Sequence, residues 1–242
     1  MVGGAEAALQ AGAVEVQALN LPLTNGAVVV DLGAGFGTHA IPFARRGARV
    51  IAIDTSAGLL RALAELAGGM PITVVNDDLL AFRSHITEAP SAIICMGDTI
   101  AHLADWSAVE ILIERVAAAL PHGGTFVVSF RDFGTALIGD ERFLPVQSDD
   151  TRILTCFLEY ERDAVVVHDI LHQRTPEGWQ TRVSHYRKIR VSAEQLIGRL
   201  EMRGFAVSRE DGMQGMVRLV AINRGNSHSL PAAQTSTTLR SQ

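Results

Sequence analysis

The stretch Val28-Val-Val-Asp31-Leu-Gly33-Ala-Gly35-Phe-Gly37 decides the fold. A short β-branched run, Ala27 to Leu32, suits a strand buried on both faces. Three glycines follow at once, where a chain turning from strand into helix needs positive φ and close backbone approach to a ligand. Thr38 to Arg46 is helical in composition and Gly47 ends it, so the loop sits in the first βα unit, the place an open α/β sheet uses for nucleotides. The spacing is G-x-G-x-G, not the G-x-G-x-x-G of a dinucleotide site, and G-x-x-x-x-G-K-[ST] is absent. Asp31, two positions before the first glycine, would repel a pyrophosphate but accept a hydrogen bond from a cationic group. The ligand expected is a nucleoside joined to a cationic moiety.

Outward from this loop the chain alternates in type. Arg49 to Ile53, Ile72 to Val75, Ala92 to Met96 and Thr125 to Phe130 read as strands. Between them Ser56 caps a helix to about Ala67, stopped by Gly68-Gly69, and Trp106 to Leu120 is a second helix. Strands alternating with helices predict a parallel sheet with right-handed crossovers. After Arg131 the pattern changes. Arg152 to Tyr160, Val165 to Gln173 and Gln180 to Arg190 are extended and joined by hairpin signals, so an antiparallel insertion over 151–190 is expected. Ser192 caps a helix to about Arg203, then Phe205 to Arg209 and Met216 to Ile222 close as strands. Ala5 to Leu19 reads as an N-terminal helix in a lid over 1–26, 27–224 as the main domain, and 225–242 as a disordered tail.

Composition bounds the class. The 242 residues carry 48% apolar and 19% charged side chains, enough for a sizeable core. A net charge of −5 makes a nucleic-acid grip unexpected. No apolar run approaches the ~20 residues of a membrane span, no signal peptide is evident, and two distant cysteines make no disulfide framework. A soluble, cytoplasmic, single-domain protein is the expectation, with the choice between monomer and homodimer open. Lys188 is the only lysine among 21 basic residues, which reads as a coding bias.

Two further aspartates fit the nucleoside. Asp54 ends the second strand, where a carboxylate chelates ribose hydroxyls. Asp78 follows the third strand beside Leu79, a carboxylate for an exocyclic amine with an apolar neighbour for a ring; Asp77 competes for that role, and a plain turn or cap is the alternative.

The segments DLGAGFG, AIDTS and NDDL, each after a strand, resemble those of the class I S-adenosylmethionine-dependent methyltransferases. The resemblance spans roughly Val28 to Ile222. It implies an α/β, Rossmann-like seven-stranded sheet whose last strand is antiparallel, here Met216 to Ile222. S-adenosylmethionine would be the cofactor, held by Asp31, Gly33, Ala34, Gly35, Gly37, Asp54, Thr55, Asp78, Leu79, Met96 and Gly97. More narrowly, CMGDTIAHL (Cys95–Leu103), GGTFVVSFRD (Gly123–Asp132) and RVSHY (Arg182–Tyr186) are similar to segments of glycine N-methyltransferase-like small-molecule enzymes. Asp98 stands where that pattern has asparagine.

Methyl transfer from a sulfonium needs alignment and exclusion of water, and a base only if the acceptor arrives protonated. Asp98 and His102 are the candidates for holding the acceptor amine or taking its proton. Arg131, at a strand's C-terminal end, is the candidate fork for an acceptor carboxylate, and the resemblance adds Tyr186 to the site. Each has a plainer alternative: a helical-turn cap for Asp98, a backbone-bonded edge histidine for His102, an ion pair with Asp132 for Arg131, strand packing for Tyr186. His168 and His172 would lie ~13 Å apart on a strand, too far for one metal ion. Cys95, Cys156, Trp106 and Trp179 are expected to pack. The expected function is methylation of a small molecule, at a nitrogen of a carboxylate-bearing compound. O-methylation, another S-adenosylmethionine-consuming reaction and non-catalytic cofactor binding are the alternatives.

Overall fold

The computed structural model describes residues 2–225; the tail expected beyond lies outside them. Helix α1 (Val2–Ala18) precedes β1 (Val28–Leu32), α2 (Ala40–Arg45), β2 (Arg49–Asp54), α3 (Ala57–Ala67), β3 (Ile72–Asn76), β4 (Ala92–Cys95), α4 (Trp106–Ala119) and β5 (Thr125–Phe130). Then come β6 (Phe143–Ser148), β7 (Arg152–Tyr160), β8 (Ala164–Thr175), β9 (Gly178–Ile189), α5 (Ala193–Met202), β10 (Phe205–Asp211) and β11 (Val217–Asn223).

Seven strands form one sheet in the order β10-β11-β5-β4-β1-β2-β3. Only β11 runs against its neighbours, pairing antiparallel with both β5 and β10. The expected seven-stranded sheet with an antiparallel last strand is therefore present. Alternate residues of the central strands feed two cores. Val30, Leu32 and Ile93 pack with Val109, Leu112 and Val116 of α4 and Leu196 of α5. Val29, Val50 and Ile94 pack on the other face with Val16 of α1, Phe43 of α2 and Leu63 of α3. Burying each such side chain contributes about 1.5–3 kcal/mol, and double-faced burial explains why these strands read as unbroken apolar runs.

The insertion is a four-stranded antiparallel sheet, β6-β7-β8-β9. It begins at Phe143, earlier than expected. Strand β6 escaped notice because FLPVQS has little apolar alternation and contains Pro145, tolerated because β6 is an edge strand. Leu158, Val165 and Val167 of its inner face pack on Phe133, just after β5, in a third small core. Arg190 ties this sheet to the main body. Its guanidinium donates to the carbonyls of Phe133 and Gly134 on one side and Glu161 and Arg162 on the other.

Trp106 packs as expected, with its Nε1 donating to the Arg190 carbonyl. Trp179 does not: it is half exposed near the β8–β9 turn. Cys95 is fully buried, while Cys156 is only partly so and donates to Asp169 Oδ1 at 3.0 Å. His168 and His172 do lie on β8, bonded to Glu159 and Thr181 respectively. Among the described residues no helix is long and apolar enough to cross a membrane.

Candidate active site

The C-terminal ends of β1, β2 and β4 converge on a cleft of about 440 Å³ lined by Gly33, Asp54, Thr55, Asp78, Leu79 and His102. Leu59, Thr99 and Leu103 complete its wall and were not anticipated; as ordinary apolar and turn residues they carry no sequence signal.

Asp54 is fixed before any ligand arrives. Its Oδ2 accepts the Gly35 N–H and its Oδ1 the Ser56 N–H, both at 2.8 Å. Asp78 accepts the Leu80 N–H and so caps the short 3-10 turn that follows, yet its side chain still borders the cleft. Its rival Asp77 is engaged elsewhere, with His85 at 2.7 Å. Asp31 is 1% exposed, and its Oδ2 has no hydrogen-bond partner. Burial, only partly offset by His39, pushes its pKa up to about 6.

The glycines divide by role. Gly33 and Gly35 both have positive φ. A Cβ on Gly35 would project into open space, whereas on Gly33 it would strike the Thr99 side chain. Gly37, expected to meet the ligand, is a packing residue: at φ 95° its Cβ would press on Leu63 and Ile41 near 3.0 Å. Ala34 is buried and donates its N–H to the Ile53 carbonyl, and the Met96 side chain is 3% exposed in the core. Neither residue lines the cleft. Gly97 has φ 70° and open space at its Cβ; β5 holds it through Ser129 Oγ, which accepts its N–H.

These features fit a cofactor with a cationic amino-acid end and a nucleoside. Three carboxylates border or underlie the cleft, one with an unspent buried acceptor, and nothing there would neutralise a polyphosphate. S-adenosylmethionine presents an ammonium, a diol and an exocyclic amine, the donors such a set would hold.

A second cavity of about 420 Å³ lies under the inserted sheet, lined by Arg131, Tyr186 and Lys188 with Phe133, Leu158, Val167 and others. His102 of the first cleft stacks on Tyr186 of the second, centroids 5.7 Å apart and planes within 23°. His102 is thus not an edge histidine bonded to backbone. Although its outer side is exposed, partial burial, reinforced by Lys188 and opposed by Asp98, holds its pKa below 6.5. Tyr186 is pushed up to about 12, mainly by burial and then by Asp169, so it stays a neutral phenol.

Asp98 corrects the sequence expectation. Its side chain makes no cap bond, but neither is it a free base. Oδ1 accepts the Arg131 N–H at 3.0 Å and Oδ2 pairs with Lys188 Nζ at 2.5 Å, with both side chains about nine-tenths buried. A carboxylate so engaged organises its neighbours and leaves proton removal to another group. Its backbone, at φ 73°, is held by an N–H bond to the Ser129 carbonyl. Arg131 has no ion pair with Asp132, whose oxygens accept the N–H groups of Gly134 and Ala193. The Arg131 guanidinium donates instead to the Gln214 carbonyl at 3.1 Å. Lys188 and Gln214 were both missed. A lone lysine in an arginine-rich chain was the available signal for the first; nothing in the sequence marks the second.

Residues 29–124 match a family model described as a methyltransferase domain. A 59-residue stretch, 23% of this chain, is 52% identical to the demethylmenaquinone methyltransferase of Thermobifida fusca (strain YX). That match spans only a quarter of the relative's length. Among solved structures, the CcbJ methyltransferase of Streptomyces caelestis superposes with a TM-score of 0.73 at 21% identity, over 89% of this chain and 94% of that one. CalS10, a S-adenosylmethionine-bound amino pentose methyltransferase of Micromonospora echinaspora, gives 0.72 at 16% identity, over 89% of each chain. These likenesses fix the fold as that of class I methyltransferases. Residues 29–124 carry the sequence likeness to a methyltransferase domain.

Proposed function

We propose that this methyltransferase domain acts on a small molecule, transferring the methyl group to a nitrogen of a carboxylate-bearing acceptor. The observation that carries the proposal is the junction between the cavities: His102 borders the cofactor cleft, Tyr186 borders the second cavity, and the two rings stack. A nitrogen reaching that junction from the second cavity would stand at the edge of the first cleft, beside His102.

Asp54 and Asp78 hold the nucleoside by its hydroxyls and amine, and Asp31 takes the ammonium with its unspent oxygen. When bound, S-adenosylmethionine supplies a methyl group already activated by its sulfonium. The protein's remaining work is orientation, exclusion of water and deprotonation. His102, neutral at physiological pH, takes the proton from an acceptor ammonium and so frees its lone pair. Tyr186 covers the inner ring face of His102, and its un-ionised hydroxyl donates a hydrogen bond to the acceptor. Arg131, with no acidic partner among the described residues, receives the acceptor's carboxylate. Glycine is disfavoured, because it would leave most of the second cavity unfilled.

Mass spectrometry of products tests the proposal directly. The protein is incubated with S-adenosylmethionine and a set of amino acids, amines and hydroxy acids. Gain of a methyl at nitrogen supports the assignment. Gain at oxygen would move the acceptor atom, and cofactor binding with no methylated product from any member would point to a non-catalytic role.

A further inference from the structure

Lys188 does not behave like a residue retained by chance. The 21 basic residues comprise twenty arginines and this one lysine. It is 8% exposed, paired with Asp98 and facing the second cavity, with Nζ 5.4 Å from the Tyr186 ring centroid. A compositional drift from lysine to arginine spares only a place where arginine does not serve. A guanidinium is longer and wider than an ammonium, and Lys188 Nζ sits 2.5 Å from Asp98 Oδ2 and 5.4 Å from the Tyr186 ring centroid.

We propose that Lys188 and Arg131 form a two-cation clamp for the acceptor's carboxylate, above a pocket that selects acids with a bulky apolar body. The inference rests on the assignment of the second cavity to the acceptor. Asp98 aims both cations: one oxygen takes the Arg131 N–H and the other the Lys188 ammonium. Each retains unspent donors. The ammonium has three and shows one hydrogen bond, to Asp98; the guanidinium has five and gives one, to Gln214. Gln214 is itself in the left-handed region, φ 55°, a strained conformation that turns its carbonyl to the guanidinium. Among the described residues Asp98 is the only acid in ion-pair contact with either cation, which leaves the Arg131 guanidinium without an acidic partner. Asp169 is the other acid nearby; its Oδ1 accepts the Cys156 thiol, and it pairs with neither cation.

The remaining walls specify what the carboxylate is attached to. Phe133, Leu158 and Val167 are buried and apolar, and Leu144 packs against them. Val146 at the rim is 56% exposed, apolar surface that a ligand would cover. A cavity of about 420 Å³ so lined suits a branched or aromatic body.

Calorimetry with 3-phenylpropanoate tests this without requiring turnover, with S-adenosylhomocysteine present in all titrations. The acid is expected to bind at least tenfold tighter than 3-phenylpropanamide, and at least tenfold tighter than acetate. Arg131→Met should cost the acid at least tenfold and leave the amide and the nucleoside unchanged. Lys188→Met strands Asp98 and threatens folding, so Asp98→Asn/Lys188→Met removes both charges together and should also cost tenfold. Equal binding of acid and amide, no binding of the acid, or undiminished acid binding by the double variant would overturn the clamp. Equal binding of acetate would overturn the apolar selection. If the acid binds but the nucleoside does not, the clamp stands and the methyl-transfer assignment fails; the reverse result keeps methyl transfer and discards the clamp.

Discussion

Replacing Asp31 by asparagine should make the cofactor-free protein progressively more stable relative to wild type as pH rises, while making it a poorer binder. Burial raises this carboxyl from its ordinary 3.8 to about 6. A raised carboxyl pKa means that the folded state holds the proton more tightly than the unfolded state. The stability it contributes is complete below pH 3.8 and is lost progressively as pH climbs to about 6. At about 1.4 kcal/mol for each tenfold change, the whole effect is about 3 kcal/mol, of which about 2 kcal/mol falls between pH 4.5 and pH 7.5. Asparagine carries no charge at either pH. Its own packing and hydrogen-bonding cost is the same at both and cancels in the comparison. Denaturation of wild type and Asp31→Asn at the two pH values should therefore show the variant gaining about 2 kcal/mol relative to wild type at the higher pH. For a domain of this size that is a relative rise in Tm of about 4–8 °C. In parallel, S-adenosylmethionine affinity at pH 7.5 should fall tenfold or more, the scale of a lost hydrogen bond to a charged group. A stability difference flat in pH would refute the burial-raised carboxyl of Asp31. Unchanged affinity would remove it from the cofactor site.

Asp54→Ala should weaken cofactor binding by about 1–3 kcal/mol in calorimetry, and more than hydroxyl loss alone would suggest, because the Gly35 N–H is released with it. Gly37→Ala should cost about 1–3 kcal/mol in chemical denaturation, from the left-handed φ and the contacts with Leu63 and Ile41, while the folded fraction binds cofactor normally. The pH–rate profile should show turnover rising along one acid limb with its midpoint below 6.5; His102→Ala should erase that limb and lower kcat by about 10²–10⁴-fold.

The seven-stranded sheet was legible because each central strand is buried on both faces, so apolar runs such as Val28–Val30 stand out between glycine punctuation. Asp31 and Asp54 stood out for a related reason: each follows directly on such a run, and Asp78 comes three positions after one. What the sequence hid is non-local. Asp98 and Lys188 are separated by 90 positions, and only folding shows that they neutralise each other. Gly37 looked like its two neighbours in the loop, since a glycine needed for packing and a glycine needed for ligand approach are the same letter. Strand β6, an edge strand with a proline, lacks the period-two pattern that burial imposes on inner strands. The stretch similar to glycine N-methyltransferases pointed to Arg131 and Tyr186, which do share a cavity. It gave no hint of the Lys188 ammonium that lines the same cavity.

The inserted sheet has a consequence for how such a protein could change its chemistry. Strands β6 to β9 are one uninterrupted length of chain, entered after Phe133 and left at Arg190, while Asp31, Asp54 and Asp78, the carboxylates proposed for the cofactor, lie in the chain before it. On the proposed assignment, Arg131, Phe133 and Gln214 stay with the main body, and the insertion's share of the acceptor cavity, including Tyr186 and Lys188, forms a single graftable cassette. Its principal docking requirement at the site is a cation delivered opposite Asp98. A transplanted insertion that omits this cation would leave a buried acid unmatched and should fail to seat, whatever its fit to a new acceptor.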